Sequence, residues 1–163
     1  MPRAEPDRDL LPRDLHRALS GEGFQRRRRL ALPFLTTDPE GFPRVALLTF
    51  GEVRANSPAA LAVAVRSGSR TAFNLVRRGT ATLLYMHRRL TASVQARAGR
   101  GRVSSSDPAR KIFPLSVERV RVDRPAAEEG DVALLAGPTF GGGDADRLFS
   151  DELFRELGKA ETE

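Results

Sequence analysis

The sequence predicts a mainly β, α+β domain: an antiparallel barrel of about six short strands with helices at its rim. Three observations carry that prediction. Short apolar runs rich in Val, Leu and Ala recur between turn signals; one amphipathic helix interrupts them after the third run, which breaks the strand–helix alternation of a parallel sheet; and 163 residues suffice for one core and not two.

Taken in order, residues 1–25 read as a polar leader with a short helix, in which Leu15, Ala18 and Leu19 share a face before Gly21 ends it. Residues 26–124 read as the barrel core. Arg26 to Arg29 run into a strand over Leu30 to Thr36, followed by the turn residues Asp38-Pro39-Glu40-Gly41. A second strand is expected over Arg44 to Phe50, then a loop from Gly51 to Pro58, then a third strand over Leu61 to Val65. From Ser69 the period changes: Ala72, Leu75 and Val76 fall on one helical face, Arg77 and Arg78 occupy the last turn, and Gly79 stops it. Strands over Thr80 to His87 and Leu90 to Val103 follow, with Gly99 and Gly101 at a bend, and one more around Val117, Val120 and Val122. Residues 125–163 read as a loop and helix packed on the barrel, with Ser150 as N-cap, Leu153, Phe154 and Leu157 as the buried stripe and Gly158 as the stop.

Composition narrows the function. No stretch reaches the roughly 18 to 20 uninterrupted apolar residues of a membrane span, and the charged, proline-bearing start is unlike a secretory signal, so a cytoplasmic location off the membrane is expected. Cysteine is absent and there are two His, which removes disulfides and thiolate chemistry; no metal site is expected. The net charge of +6 is nearly all arginine, which favours anionic partners, although a GC-rich genome produces the same enrichment without selection for binding.

The most informative segment is Leu61 to Gly79. A strand delivers the chain into Arg66-Ser67-Gly68-Ser69-Arg70-Thr71 and a helix starts at once, presenting unpaired N–H groups and a partial positive charge. Ser69 and Thr71 offer hydroxyls, Arg70 a two-pronged charge-assisted bond, and Gly68 a close approach to the backbone. Spacing alone leaves two readings open: a phosphate site, or a Ser69 that only caps the helix beside a solvated Arg70. The glycines from Gly137 to Gly143 lack the Lys-Ser/Thr ending of a nucleotide loop, and Asp144 and Asp146 would repel phosphate, so they read as a connector.

The order of these segments, with Arg44-Val45-Ala46-Leu47-Leu48-Thr49, Leu61-Ala62-Val63-Ala64-Val65 and Ser69-Arg70-Thr71-Ala72-Phe73-Asn74-Leu75, resembles the pyridoxamine-phosphate-oxidase-like FMN-binding split barrels over roughly Leu30 to Val122. The resemblance implies an FMN cofactor, with Arg44, Val45, Ala46 and Thr49 along the ring and ribityl chain, Ser67, Ser69, Arg70 and Thr71 at the phosphate, and Gln95 reaching the flavin. It implies a homodimer that completes each flavin site, with Tyr85, Arg88 and Arg89 on a strand that can face the partner. Thr71 stands where the fuller motif has Lys, which removes a charge from the clamp, and with no Trp the substrate motif of true pyridoxamine-phosphate oxidases is missing. The expectation is therefore an FMN-dependent oxidoreductase acting on a small molecule. Alternatives within the same fold are a deazaflavin (F420) reductase or a flavin or haem carrier without turnover. No catalytic residue is assigned; His87 and, less so, His16 are the protonatable candidates. A basic nucleic-acid module resting on Arg26 to Arg29 and on Arg97 to Arg102 is the reading from another class; one Tyr and no Trp leave it short of stacking partners.

Overall fold

The computed structural model describes residues 3–4, 9–88, 90–124, 134–142 and 149–161. Nine antiparallel strands form one curled sheet: β1 (Arg3–Ala4), β2 (Ala31–Thr37), β3 (Pro43–Thr49), β4 (Val53–Ser57), β5 (Ala60–Arg66), β6 (Thr80–His87), β7 (Leu90–Ala98), β8 (Arg102–Val103) and β9 (Arg110–Arg124). The order across the sheet is β3-β2-β6-β7-β9-β5-β4, with β1 and β8 also pairing with β9. Among the described residues, four helices accompany it: α1 (Arg13–Leu19), α2 (Phe24–Arg27), α3 (Arg70–Arg78) and α4 (Asp151–Leu157). The expected class, a split antiparallel barrel with short helices, is the one observed. Among the described residues, no helix is long and apolar enough to cross a membrane.

Two segments depart from the sequence expectation. The loop expected from Gly51 to Pro58 is instead a 3-10 turn, Phe50–Glu52, and then strand β4. Its Val53 and Ala55 alternate into the core, and only Pro58 and Ala59 separate it from β5, so a tight hairpin replaces a loop. The strand expected around Val117 to Val122 begins at Arg110, because one long strand serves both halves: its first half pairs with β5 and its second with β7. These additions take the strand count beyond six. The strand expected to run to Val103 breaks after Ala98 and resumes as the short β8.

The main core gathers Phe34, Phe50, Leu61, Val63, Leu83, Phe113 and Leu115 inside the barrel, together with Leu15 and Leu19 of α1. Strand β5 is buried on both faces, as its unbroken apolar run requires. Its large residues, Leu61, Val63 and Val65, face the barrel. The small Ala62 and Ala64 on the other face, with Ile112, let Leu153 and Leu157 of α4 come close. Burying those two leucines contributes on the order of 1.5 to 3 kcal/mol each. Ser150 caps α4 by accepting from the Leu153 N–H, and the open carbonyls at its far end receive Arg54, which donates to Phe154 O at 2.9 Å, and Asn56, which donates to Leu157 O at 3.0 Å and Ala160 O at 2.9 Å. Gly143, Asp144 and Asp146 of the glycine-rich connector lie outside the described residues, as does Arg89.

Candidate functional site

Helix α3 starts as its sequence dictates. Ser69 is the N-cap, its Oγ accepting from the Ala72 N–H at 3.1 Å, and Gly79 closes the helix in the left-handed conformation at φ 66°. Ala72 and Leu75 enter the core, and Asn74 anchors the helix to the sheet by donating to Thr36 Oγ1 at 3.0 Å in a buried bond.

Between this helix start, the end of β5 and the edge strand β3 lies a cleft of about 320 Å³, walled by Ala46, Leu47, Leu48, Thr49, Val65, Ser69 and Thr71, and by Glu52, Arg66, Arg110 and Phe140. Thr71 is 6% exposed, and its hydroxyl has no hydrogen-bond partner among the described residues. With no protein partner, the hydroxyl is free to bond a ligand in the cleft. The 3-10 turn supplies the opposite wall. Thr49 and Glu52 form a capping box: the Thr49 side chain accepts from the Glu52 N–H, while Glu52 Oε2 accepts from the Thr49 N–H at 2.8 Å. The other oxygen of Glu52, which is 8% exposed, is ion-paired with Arg110.

The residues expected from sequence divide into three groups. Ala46, Thr49, Ser69 and Thr71 converge on the cleft. Arg44, Ser67 and Arg70 are exposed and stand outside its walls, Ser67 binding through its backbone N–H to Ala109 O at 2.9 Å. Val45 and Gln95 lie elsewhere. Val45 pairs with Leu35, and Thr82 with both Leu35 and Gln95, so all four side chains share the outer face of the sheet. There Gln95 lines a separate cleft of about 290 Å³ with Leu35, Thr37, Pro43 and Thr82.

Arg66, Arg110 and Glu52 were not singled out as site residues from sequence. Glu52 carried a signal, the Thr-x-x-Glu of the capping box; Arg110 carried none, because only the β5–β9 pairing brings it to the cleft. His87 does not line the cleft: burial, followed by Arg88 and Arg27, pushes its imidazole down, and its Nδ1 is buried without a partner. Tyr85 faces inward, in edge contact with Phe50 at 6.3 Å, and is a core residue and not a partner-facing one.

No protein-family model and no curated protein matches the chain. Solved structures do. A candidate pyridoxamine 5'-phosphate oxidase from Lactobacillus delbrueckii superposes with a TM-score of 0.53 at 16% identity, over 69% of this chain and 94% of that one. An FMN-binding protein from Syntrophomonas wolfei gives 0.52 at 9% identity, over 66% and 85%. HupZ of Group A Streptococcus gives 0.53 at 11% identity, over 68% and 98%. At these identities the likeness is one of architecture: the chain has the pyridoxamine 5'-phosphate oxidase-like split-barrel fold.

Proposed function

We propose that this chain binds flavin mononucleotide in the cleft at the start of α3 and works as an oxidoreductase on a small-molecule substrate. The observation that carries the reading is the Thr71 hydroxyl, without a protein partner among the described residues, beside a capped helix start, in a cleft with two arginines in its wall. The same fold in an FMN-binding protein supports it. The residues fit the group. Ser69 and Thr71 present hydroxyls to a phosphate, the first turn of α3 adds its N–H groups, and Ala46 and Leu48 give an apolar wall for the rest of the molecule. Bound FMN supplies hydride acceptance and donation at its ring N5; the chain's own part is to hold and orient it.

A second copy of the chain belongs to this reading. The edge strand β3 exposes Val45 at 57% and Leu47 at 53%; Val45 lies on the outer face of the sheet with Leu35 and Gln95, and Leu47 stands at the rim of the α3 cleft. An exposed apolar edge of this kind calls for a cover. Gln95, on that face and outside the α3 cleft, meets a flavin only if a second copy holds it.

The test is the absorption of the protein as purified, followed by titration of the apoprotein with FMN and with riboflavin while light scattering reports the mass. Expected are a yellow preparation, tighter binding of FMN than riboflavin, and twice the chain mass. A colourless protein that takes up neither ligand sinks the proposal.

A further inference from the structure

The geometry points to Arg66 and Arg110 as the anion clamp of this cleft, with Glu52 as a resident counter-anion that yields Arg110 to an incoming phosphate. The inference deepens the flavin reading and rests on it for the identity of the ligand, though not for the charge of the clamp.

Arg66 and Arg110 are direct partners in the β5–β9 ladder, and both line the cleft. Like charges placed opposite each other across two strands repel, and an anion beside the pair relieves that repulsion. The anions present are accounted for. Glu52 pairs with Arg110 Nη1, Asp107 Oδ2 lies 3.5 Å from Arg110 Nε, and Arg66 has no ion-pair partner among the described residues. One of the two guanidiniums is thus engaged by carboxylates, and the other meets none among the described residues, at the cleft that the start of α3 and Thr71 also line.

A phosphomonoester dianion makes full use of both arginines; a neutral ligand uses neither. Reaching the second one requires an exchange of partners. Glu52 cannot leave, because the capping box with Thr49 fixes it on the 3-10 turn, whereas Arg110 is a long side chain able to swing. So Arg110 turns from Glu52 to the phosphate, and the carboxylate left behind, almost fully buried, opposes the bound dianion. Glu52 therefore lowers phosphate affinity and holds the arginine pair together in the free protein. The sequence departure at Thr71, where a lysine was expected, is offset from the opposite strand and not from within the helix.

The experiment measures FMN, riboflavin and inorganic pyrophosphate binding by calorimetry for the native chain, Glu52→Gln, Arg66→Gln and the double variant Glu52→Gln/Arg110→Gln. The glutamine keeps an acceptor for the Thr49 N–H, Asp107 stays beside Arg110, and the double variant avoids stranding a buried carboxylate; thermal unfolding verifies that each variant is folded. Glu52→Gln is expected to bind FMN about tenfold more tightly with riboflavin unchanged, and Arg66→Gln and the double variant about tenfold or more less tightly. Unchanged FMN affinity in Glu52→Gln, or equal losses of FMN and riboflavin in Arg66→Gln, overturns the clamp. Pyrophosphate binding that rises in Glu52→Gln while no flavin binds to any variant upholds the clamp and removes the flavin reading instead.

Discussion

Two buried glutamates, each beside an arginine, do opposite things. Glu156 on α4 is 8% exposed and receives six hydrogen bonds: from Arg102, from the Ser104 hydroxyl at 2.6 Å, and from both the backbone N–H and the hydroxyl of Ser105 and of Ser106. Glu52 is buried to the same degree, yet receives one backbone N–H and one guanidinium, and that guanidinium faces a second one across the ladder. Burial and residue type are alike, so what separates them is saturation. A carboxylate whose acceptor sites are filled is a fastener, and one whose partner is in surplus positive charge is part of a binding site.

If that contrast is right, the largest loss of stability comes from Glu156. Its removal takes away the acceptor of the buried Ser104 hydroxyl, frees the loop of Ser105 and Ser106, and loosens α4, whose Leu153 and Leu157 cover Ala62, Ala64 and Ile112. Glu156→Ala is expected to destabilise the chain by about 3 kcal/mol, a fall in Tm of roughly 6 to 12 °C, with the ratio of FMN to riboflavin affinity unchanged. Thermal unfolding beside ligand titration checks it. A variant with native Tm and altered FMN preference would reverse the two roles.

Acid sharpens the same comparison. Burial pushes the Glu156 carboxyl up, but the bonds from Ser104, Arg102, the Ser105 N–H and Ser106 together outweigh it and hold the group far below the usual carboxylate range. Its folded pKa is thus depressed relative to an unfolded value of about 4.3. Above that value the stabilisation is complete; as pH falls below about 5 the unfolded chain takes up a proton that the folded chain refuses, and stability declines. Denaturant midpoints between pH 7 and pH 3 are expected to fall for the native chain and to fall less for Glu156→Gln. Parallel curves would mean that the cradle does not hold the anion.

How much of this contrast the sequence carries depends on how far apart the partners lie along the chain. Helix α3 was legible at both ends, Ser69 and Gly79, because caps act within a few residues, and the apolar runs gave β2, β3, β5 and β6 nearly to the residue. The α4 helix was legible for the same reason, through Ser150 and Gly158. Strand β4 was not, since Val-Arg-Ala-Asn-Ser is short and weakly apolar, and its burial comes from the hairpin with β5. The first half of β9 was missed because Pro114 argues against a central strand, and with it went Arg110, whose place opposite Arg66 is a fact of sheet order. Arg70, the residue local spacing favoured, is exposed on the first turn of α3, outside the cleft. A sequence shows the helix start that an anion can use; strand pairing decides which cations reach it.

The smallest expected effect isolates the Thr71 hydroxyl, which has no protein partner among the described residues. Thr71→Val keeps the shape and removes only the hydroxyl, which has no partner to lose in the free protein. Stability should therefore stay level or rise by a few tenths of a kcal/mol, the opposite of what deleting a hydrogen-bonded buried hydroxyl does. FMN affinity should fall about fivefold, the equivalent of roughly 1 kcal/mol, with riboflavin affinity unmoved. Loss of stability without loss of FMN selectivity would place this hydroxyl with the fasteners, beside Ser104 and not beside Arg66, and the distinction by saturation would fail at the residue where it is most exacting.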